Sequence, residues 1–189
     1  GLASGNTDPR GVDSDGDKLW VVDKDKWVYV YDGDGTSLGA WKAKSLGKEP
    51  EGIAVAPTSD PANPTFQDVW IVDRDKKKVF FFNDAAGRTS GEYDANSSFA
   101  LNSANSHPKG VATNGVSLWV VDDDGGKEQV FKYNLAGQLL GKWEIADAAL
   151  EEPTGITLDP AGGTTLWIVD KKSDKVYQFD NATGLISGS

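Results

Sequence analysis

The apolar positions of this chain fall in short runs, and one run is written four times: Leu19-Trp20-Val21-Val22-Asp23, Val69-Trp70-Ile71-Val72-Asp73, Leu118-Trp119-Val120-Val121-Asp122 and Leu166-Trp167-Ile168-Val169-Asp170. Successive tryptophans stand 50, 49 and 48 residues apart, a period that belongs to repeat architectures. Inside each run the apolar residues follow one another without alternation, as they also do from Trp27 to Tyr31. Strands written in this way are covered on both faces. Between the runs stand turn sequences such as Asp15-Gly16-Asp17, Asp23 to Lys26 and Asp32-Gly33-Asp34-Gly35, so the pattern predicts short strands joined by tight polar turns.

Each unit opens on Pro-x-Gly followed by Val or Ile, at Pro9, Pro50, Pro108 and Pro153, which sets unit boundaries near 9–49, 50–107, 108–152 and 153–189. In unit two, Pro57, Pro61 and Pro64 predict a surface insertion from Pro57 to Gln67, because proline cannot serve a central ladder. Val79 to Phe82 then reads as its third strand, Ser90 to Tyr93 as a short fourth, and Ala95 to Ser106 as a connection. Unit three predicts strands near Ser117 to Val121, Val130 to Tyr133 and Leu139 to Trp143, with a brief helical turn from Ala146 to Glu152. Unit four lacks a counterpart of Trp41, Tyr93 and Trp143, so its outer strand is expected to be truncated.

No helical pattern separates the strands, which excludes a βαβ arrangement. The expected fold is all-β: a β-propeller of four-stranded antiparallel blades, with four blade repeats in the chain. Trp20, Trp70, Trp119 and Trp167 are expected as core, each ring filling the gap between neighbouring sheets and burying about 150–250 Å².

Among 189 residues, 29 are acidic and 19 basic, a formal charge of -10. That balance argues against nucleic acid or an anionic membrane surface as partner. There is no cysteine, which removes disulfides and thiolate chemistry. No apolar stretch is long enough to span a membrane, and Gly1 to Ser4 carries neither part of a signal peptide. Abundant Asp, Asn, Ser, Thr and Gly suit an exported bacterial protein, extracellular or periplasmic. The chain has no methionine, even at position 1; with the short last repeat, this suggests a portion excised from a longer polypeptide.

The recurrent Asp23, Asp73, Asp122 and Asp170 would ring one face with carboxylates, attractive to cations. Aspartates in turns also accept hydrogen bonds from their own turn amides, and recurrence in every unit favours that structural role. Asp13-x-Asp15-Gly16-Asp17 fails the helix-loop-helix calcium pattern, since its glycine is misplaced and Lys24 stands where a glutamate is needed. Asp122, Asp123 and Asp124, followed by Gly125-Gly126, form the better calcium candidate, although one turn seldom supplies the six to eight oxygens calcium takes. His107 is the only histidine, so a zinc site built on several histidines is excluded. Its neighbour Ser106 does not make it part of a triad, which requires convergence in space.

The Pro-x-Gly openings, the Trp-containing second strands ending in Asp and the aromatic third strands resemble the NHL repeat, within the wider six-bladed propeller superfamily of gluconolactonase and strictosidine synthase relatives. The resemblance covers all four units. It implies that the first strand of each unit lines a central channel, and that the Pro-x-Gly openings share a face with the turns after Asp23, Asp73, Asp122 and Asp170. In the family that face is the usual site of partner or substrate binding. The lactonase-like relatives hold a divalent metal at the channel mouth with Glu, Asn and Asp. This chain offers Glu51, Glu151, Glu152 and Asn114, none of which fits that pattern securely, and Arg10 stands at the first opening. The copper- or zinc-dependent lyases with NHL-like propellers carry a His-rich pattern that is absent here. Four units against the usual six leave three arrangements: part of a larger propeller, a four-bladed ring, or open arcs that self-associate into a paired ring.

Glu49, Glu51, His107, Lys109, Glu151 and Glu152 are expected to crowd the Pro-x-Gly face, with the 95–106 stretch reaching the same rim. Exposed loops on a rigid scaffold are where recognition resides. The expected function is therefore a non-enzymatic binding or scaffolding module for a protein or glycan partner, requiring no cofactor. The alternative is a divalent-metal-dependent lactone or ester hydrolase.

Overall fold

The computed structural model describes residues 1–57, 67–146, 150–159 and 162–187. Blade one comprises β1 (Pro9–Ser14), β2 (Lys18–Asp23), β3 (Trp27–Asp32) and β4 (Ser37–Ala43). Blade two is built from β5 (Pro50–Pro57), β6 (Gln67–Asp73), β7 (Lys78–Phe82) and β9 (Ser97–Ala100). Between β7 and β9 the chain leaves its own blade, and β8 (Glu92–Tyr93) pairs in parallel with β4. Blade three has β10 (Pro108–Thr113), β11 (Ser117–Asp122), β12 (Gln129–Asn134) and β13 (Leu139–Glu144), and blade four β14 (Pro153–Leu158), β15 (Leu166–Asp170) and β16 (Lys175–Phe179). A single 3-10 turn, Ala182–Gly184, follows. Within each blade consecutive strands pair antiparallel. The four sheets stand about a common axis as the blades of a β-propeller, and β1, β5, β10 and β14 together line a central hollow of about 290 Å³.

The Pro-x-Gly signature sets how the blades meet. The β1–β2, β5–β6, β10–β11 and β14–β15 ladders each break register just after the proline, a bulge that bends the inner strand at the axis. There the glycine lets the next inner strand come to backbone contact. A Cβ on Gly11 would lie 2.8 Å from the Gly52 Cα, one on Gly52 would lie 3.0 Å from the Gly110 Cα, and one on Gly110 would lie 2.9 Å from the Gly155 Cα. At Gly155 a Cβ would meet only the Val169 side chain of its own blade.

The apolar cores follow the same order. Trp20, Val22, Ile53 and Phe82 fill the gap between blades one and two, and the Trp20 indole N–H donates to the Ala86 carbonyl at 2.9 Å. Trp70, Val79, Val111 and Phe131 fill the next gap, and Trp119, Trp143 and Ile168 the third. Each tryptophan on a second strand thus packs toward the blade that follows. Trp167 is only half-buried: with Asp13, Ser14, Asp15 and Gly16 of blade one it lines an open hollow of about 690 Å³, and no buried apolar cluster among the described residues joins blade four to blade one. Three of the four expected core tryptophans are core, and the fourth stands at an open face.

Two sequence expectations fail on the outer strand of blade two. Ser90 to Tyr93 does not close that blade; its last two residues join blade one, where Tyr93 remains 37% exposed beneath the Arg88 guanidinium, 4.2 Å from the ring centroid. The fourth strand is instead Ser97–Ala100, within the stretch expected to be a connection. Its serines carry little strand propensity, but β7 offers an open edge and Phe99 packs on Tyr133 with centroids 5.6 Å apart. Blade four is three-stranded among the described residues, as its missing aromatic implied. The insertion between Pro57 and Gln67 and the helical turn expected around 146–152 fall chiefly on residues outside those described.

Candidate functional site on the Pro-x-Gly face

Each blade repeats one device at the end where its inner strand begins. The residue after the recurrent aspartate donates its backbone N–H to the carbonyl of the residue before the proline: Lys24 to Asp8, Arg74 to Glu49, Asp123 to His107 and Lys171 to Glu152, at 2.8–3.1 Å. The aspartate side chain holds one or both of these segments. Asp23 accepts from the Asp8 and Asp25 amides, Asp73 from the Lys76 amide, Asp122 from the His107 amide, and Asp170 from the Glu151, Glu152 and Ser173 amides. These four carboxylates have at most 1% of their surface exposed, so they organise turns rather than offer a ring of ligands to solvent.

On this shared frame, blade three reverses the polarity. In the other blades an acid before the proline faces a cation after the aspartate: Asp8 with Lys24 at 3.7 Å, Glu49 with Arg74 at 2.8 Å and Glu152 with Lys171 at 3.8 Å. In blade three His107 precedes the proline and lies 3.4 Å from Asp124, while Asp123 lies 3.9 Å from Lys109. Its β11–β12 turn is also longer and runs through Gly125 and Gly126 at φ of 64° and 126°. The other blades make the tighter turn with Lys26, Lys77 and Asp174 in the left-handed region.

The longer turn opens a groove of about 640 Å³ between blades three and four. Among the described residues Asp123, Glu128, Glu144, Glu151 and Glu152 line it with a single cation, Lys172, over an apolar patch of Ile145 and Leu150. Lys172 is held by Glu151. Glu128 is 7% exposed and accepts the Gly126 amide at 2.8 Å, which fixes the turn that forms one wall.

Of the residues expected on this face, Glu151 and Glu152 line the groove. His107 stands behind it with Ser106, whose hydroxyl donates to Asp124 at 2.8 Å. Glu49, Glu51 and Lys109 belong to a second cluster at the channel mouth. There Arg74 reaches Glu49 and Glu51, the latter at 3.2 Å. Burial pushes the Glu51 carboxyl up, against the opposing pull of Lys109, Arg74 and Arg10. The mouth is thus internally neutralised, whereas the groove keeps an excess of negative charge.

The candidate calcium ligands diverge. Asp122 is buried on the His107 amide, Asp123 turns to Lys109, and Asp124 to Ser106 and His107. Among the described residues no group of three or more His, Cys, Asp or Glu side chains is arranged to hold a metal ion. Sequence reasoning missed Glu128, Glu144 and Lys172. The available signal was a comparison of turn lengths, because six residues separate Asp122 from Gln129 and only three separate Asp23 from Trp27.

No protein-family model matches the chain, and no curated protein matches it in sequence. Solved structures do match in shape. A structure of the nidogen/laminin complex aligns over 94% of this chain at TM-score 0.61 and 16% identity, and this chain covers 62% of that one. The glutaminyl cyclase of Myxococcus xanthus aligns over 90% at TM-score 0.63 and 10% identity, with 71% of its own chain covered. The BamB protein of Moraxella catarrhalis aligns over 88% at TM-score 0.50 and 16% identity, with 41% covered. What they share with this chain is a fold. It is the β-propeller. The chain spans less than two thirds of the nidogen/laminin match and less than half of BamB.

Proposed function

We propose that this chain is a non-enzymatic binding module that recognises a cationic segment of a protein partner in the groove between blades three and four. The observation that carries the reading is the groove itself, with five carboxylates and one ammonium among its described residues around an apolar floor. Its walls are the turns and connections at the ends of the strands of blades three and four, with Glu144 at the end of β13, and Glu128 fixes one of those turns through the Gly126 amide. An arginine- or lysine-bearing segment would find charge-assisted partners along the walls and contact with Ile145 and Leu150 beneath. A protein partner fits better than a glycan, because none of the described residues lining the groove is aromatic.

The alternative, a metal-dependent lactone or ester hydrolase of NHL-like ancestry, finds less support in the geometry. A calcium ion at Asp122 to Asp124 would require Asp123 and Asp124 to leave Lys109 and Ser106. Composition supports an exported location, and among the described residues no helix is long and apolar enough to cross a membrane.

The test is titration with a lysine-rich peptide, monitored calorimetrically at low and at raised salt. Binding should weaken with salt and be lost in Glu144→Lys/Glu152→Lys, while Glu49→Lys, at the neutralised mouth, retains it. Equal affinity in all three proteins would refute the groove as the recognition surface.

A further inference from the structure

The four blades are of two alternating kinds. In blades one and three the third strand turns directly into the fourth. In blade two the chain first crosses to the rim of blade one, where the Ala40 amide donates to the Thr89 carbonyl at 2.9 Å, and only then returns as β9. Blade four begins the same detour: Lys142, at the position of Ala40, donates its amide to the Ile186 carbonyl at 3.1 Å. The sequences agree in step, since Phe82, Ala85, Gly87, Ser90 and Gly91 correspond to Phe179, Ala182, Gly184, Ser187 and Gly188. Likewise Leu2, Asn6 and Pro9 lie 99 residues before Leu101, Asn105 and Pro108. The Tyr31 hydroxyl accepts from the Asn6 side chain and the Ala3 amide, as the Tyr133 hydroxyl does from Asn105 and Asn102. The repeating unit is therefore a pair of blades. The joint between blades two and three shows how one pair meets the next.

That joint can be laid over the exposed apolar faces of blades one and four. On blade three Leu101 and Val111 are 8% and 3% exposed because blade two covers them; their counterparts on blade one, Leu2 and Val12, are 51% and 61% exposed. On blade two Val72 and Val79 have no exposed surface; their counterparts on blade four, Val169 and Val176, are 42% and 66% exposed. We propose that these surfaces are the two halves of one interface, and that a second copy of this chain completes it, blade four of one copy receiving blade one of the other. Beside Leu2, Val12 and Tyr31 lies an apolar hollow of about 470 Å³. Trp167 enters it, as Trp70 enters the core it shares with Leu101 and Tyr133. Gly155 gains the backbone neighbour that Gly52 has in Gly110. The occupant is a second copy because the surface that must be matched is an internal repeat of this same sequence. The interface joins head to tail, so it uses different residues on its two sides. It is independent of the groove, which lies within one copy.

Two variants test this, each made where the side chain is exposed and folding is not at stake: Leu2→Asp/Val12→Asp and Val169→Asp/Val176→Asp. Light scattering on the wild-type chain should give at least twice the single-chain mass, and each variant alone should stay at the single-chain mass. An equimolar mixture should give a one-to-one dimer, because each variant keeps the half that the other lacks. Trp167 fluorescence, read against Trp167→Phe, should shift to the blue on association. A wild-type chain that stays at single mass at every concentration would overturn the proposal. So would a mixture of the two variants that remains monomeric.

Discussion

Blade two and blade four are built from closely similar strand sequences and meet different surroundings, so they separate what a blade needs from what its neighbour supplies. Trp70 is 3% exposed and Val79 fully buried, whereas Trp167 is half-buried and Val176 is 66% exposed. Inside each blade the ladders are nevertheless alike, Val72 facing Val79 in one and Val169 facing Val176 in the other. Strand formation is thus local to the blade, and burial is a property of the joint. A propeller of this kind is held together by its interfaces in sequence, as other quasi-one-dimensional repeats are.

The sharpest break in this comparison is aromatic truncation. Trp119→Ala empties the joint between blades three and four and should cost about 3–5 kcal/mol. Trp167→Ala removes a ring that no following blade covers, so in dilute protein it should cost far less. Urea unfolding of both variants measures the difference. If the open face is covered by a second copy, the cost of Trp167→Ala will grow with protein concentration, since association stabilises by mass action.

The second test concerns the aspartates at equivalent positions in blades three and four. Burial pushes the Asp122 carboxyl up to about 6, with Asp124 adding to the rise and the His107 amide opposing it. At Asp170 burial acts in the same direction, but the hydroxyl and amide of Ser173 and the amides of Glu152 and Glu151 outweigh it and hold the carboxyl below its usual range. The signs differ accordingly. The folded state binds the Asp122 proton more tightly than the unfolded chain does, so its contribution is most favourable below the unfolded value and is lost as pH rises toward about 6. One pKa unit corresponds to about 1.4 kcal/mol, which puts this loss at up to about 3 kcal/mol by neutral pH. Asp122→Asn should flatten the decline. Asp170 contributes the other way, its stabilisation disappearing on acidification, so Asp170→Asn should be most damaging at neutral pH. Chemical denaturation across the acid range reads both slopes.

Much of the propeller is legible in the sequence because its signals are local and repeated. Pro-x-Gly marks the bulge, the tryptophan runs mark two-sided strands, and Asp23, Asp73 and Asp170 mark turns that they tie themselves. What is not legible depends on contacts between units. Ser97-Ser98-Phe99-Ala100 becomes a strand only because β7 presents an edge and Tyr133 a surface for Phe99. Tyr93 has the aromatic character of an outer strand, yet its segment is captured by blade one. At the candidate site Glu151 and Glu152 could be placed from their position before Pro153. Glu128 and Glu144 could not, because they approach that site only through a lengthened turn and the end of an outer strand. The charge reversal between blades is visible in the sequence once the four turns are aligned on their aspartates.

The finest comparison is between glycines. Gly110 and Gly155 hold the same place in the Pro-x-Gly bulge of adjacent blades. A Cβ on Gly110 would lie 2.8 Å from the Ile156 amide nitrogen and 2.9 Å from the Gly155 Cα, both backbone atoms held by their own ladder. Neither atom can step aside as a flexible side chain would, so Gly110→Ala must spread the inner strands of blades three and four. Overpacking of this sort costs about 1–3 kcal/mol. At Gly155 the same methyl meets only the Val169 Cγ1, at 3.0 Å, and Val169 is 42% exposed with room to turn. Gly155→Ala should therefore be nearly neutral in the single chain, and thermal melts of the two variants at low concentration test this directly. The same substitution acquires a second use when chains associate. If a second copy brings its Gly11 strand against Gly155, the alanine blocks that approach and should lower association while leaving the single chain's stability intact. A Gly155→Ala chain that associates as tightly as wild type would show that the inner strands do not meet at that joint, whatever the outer apolar residues do.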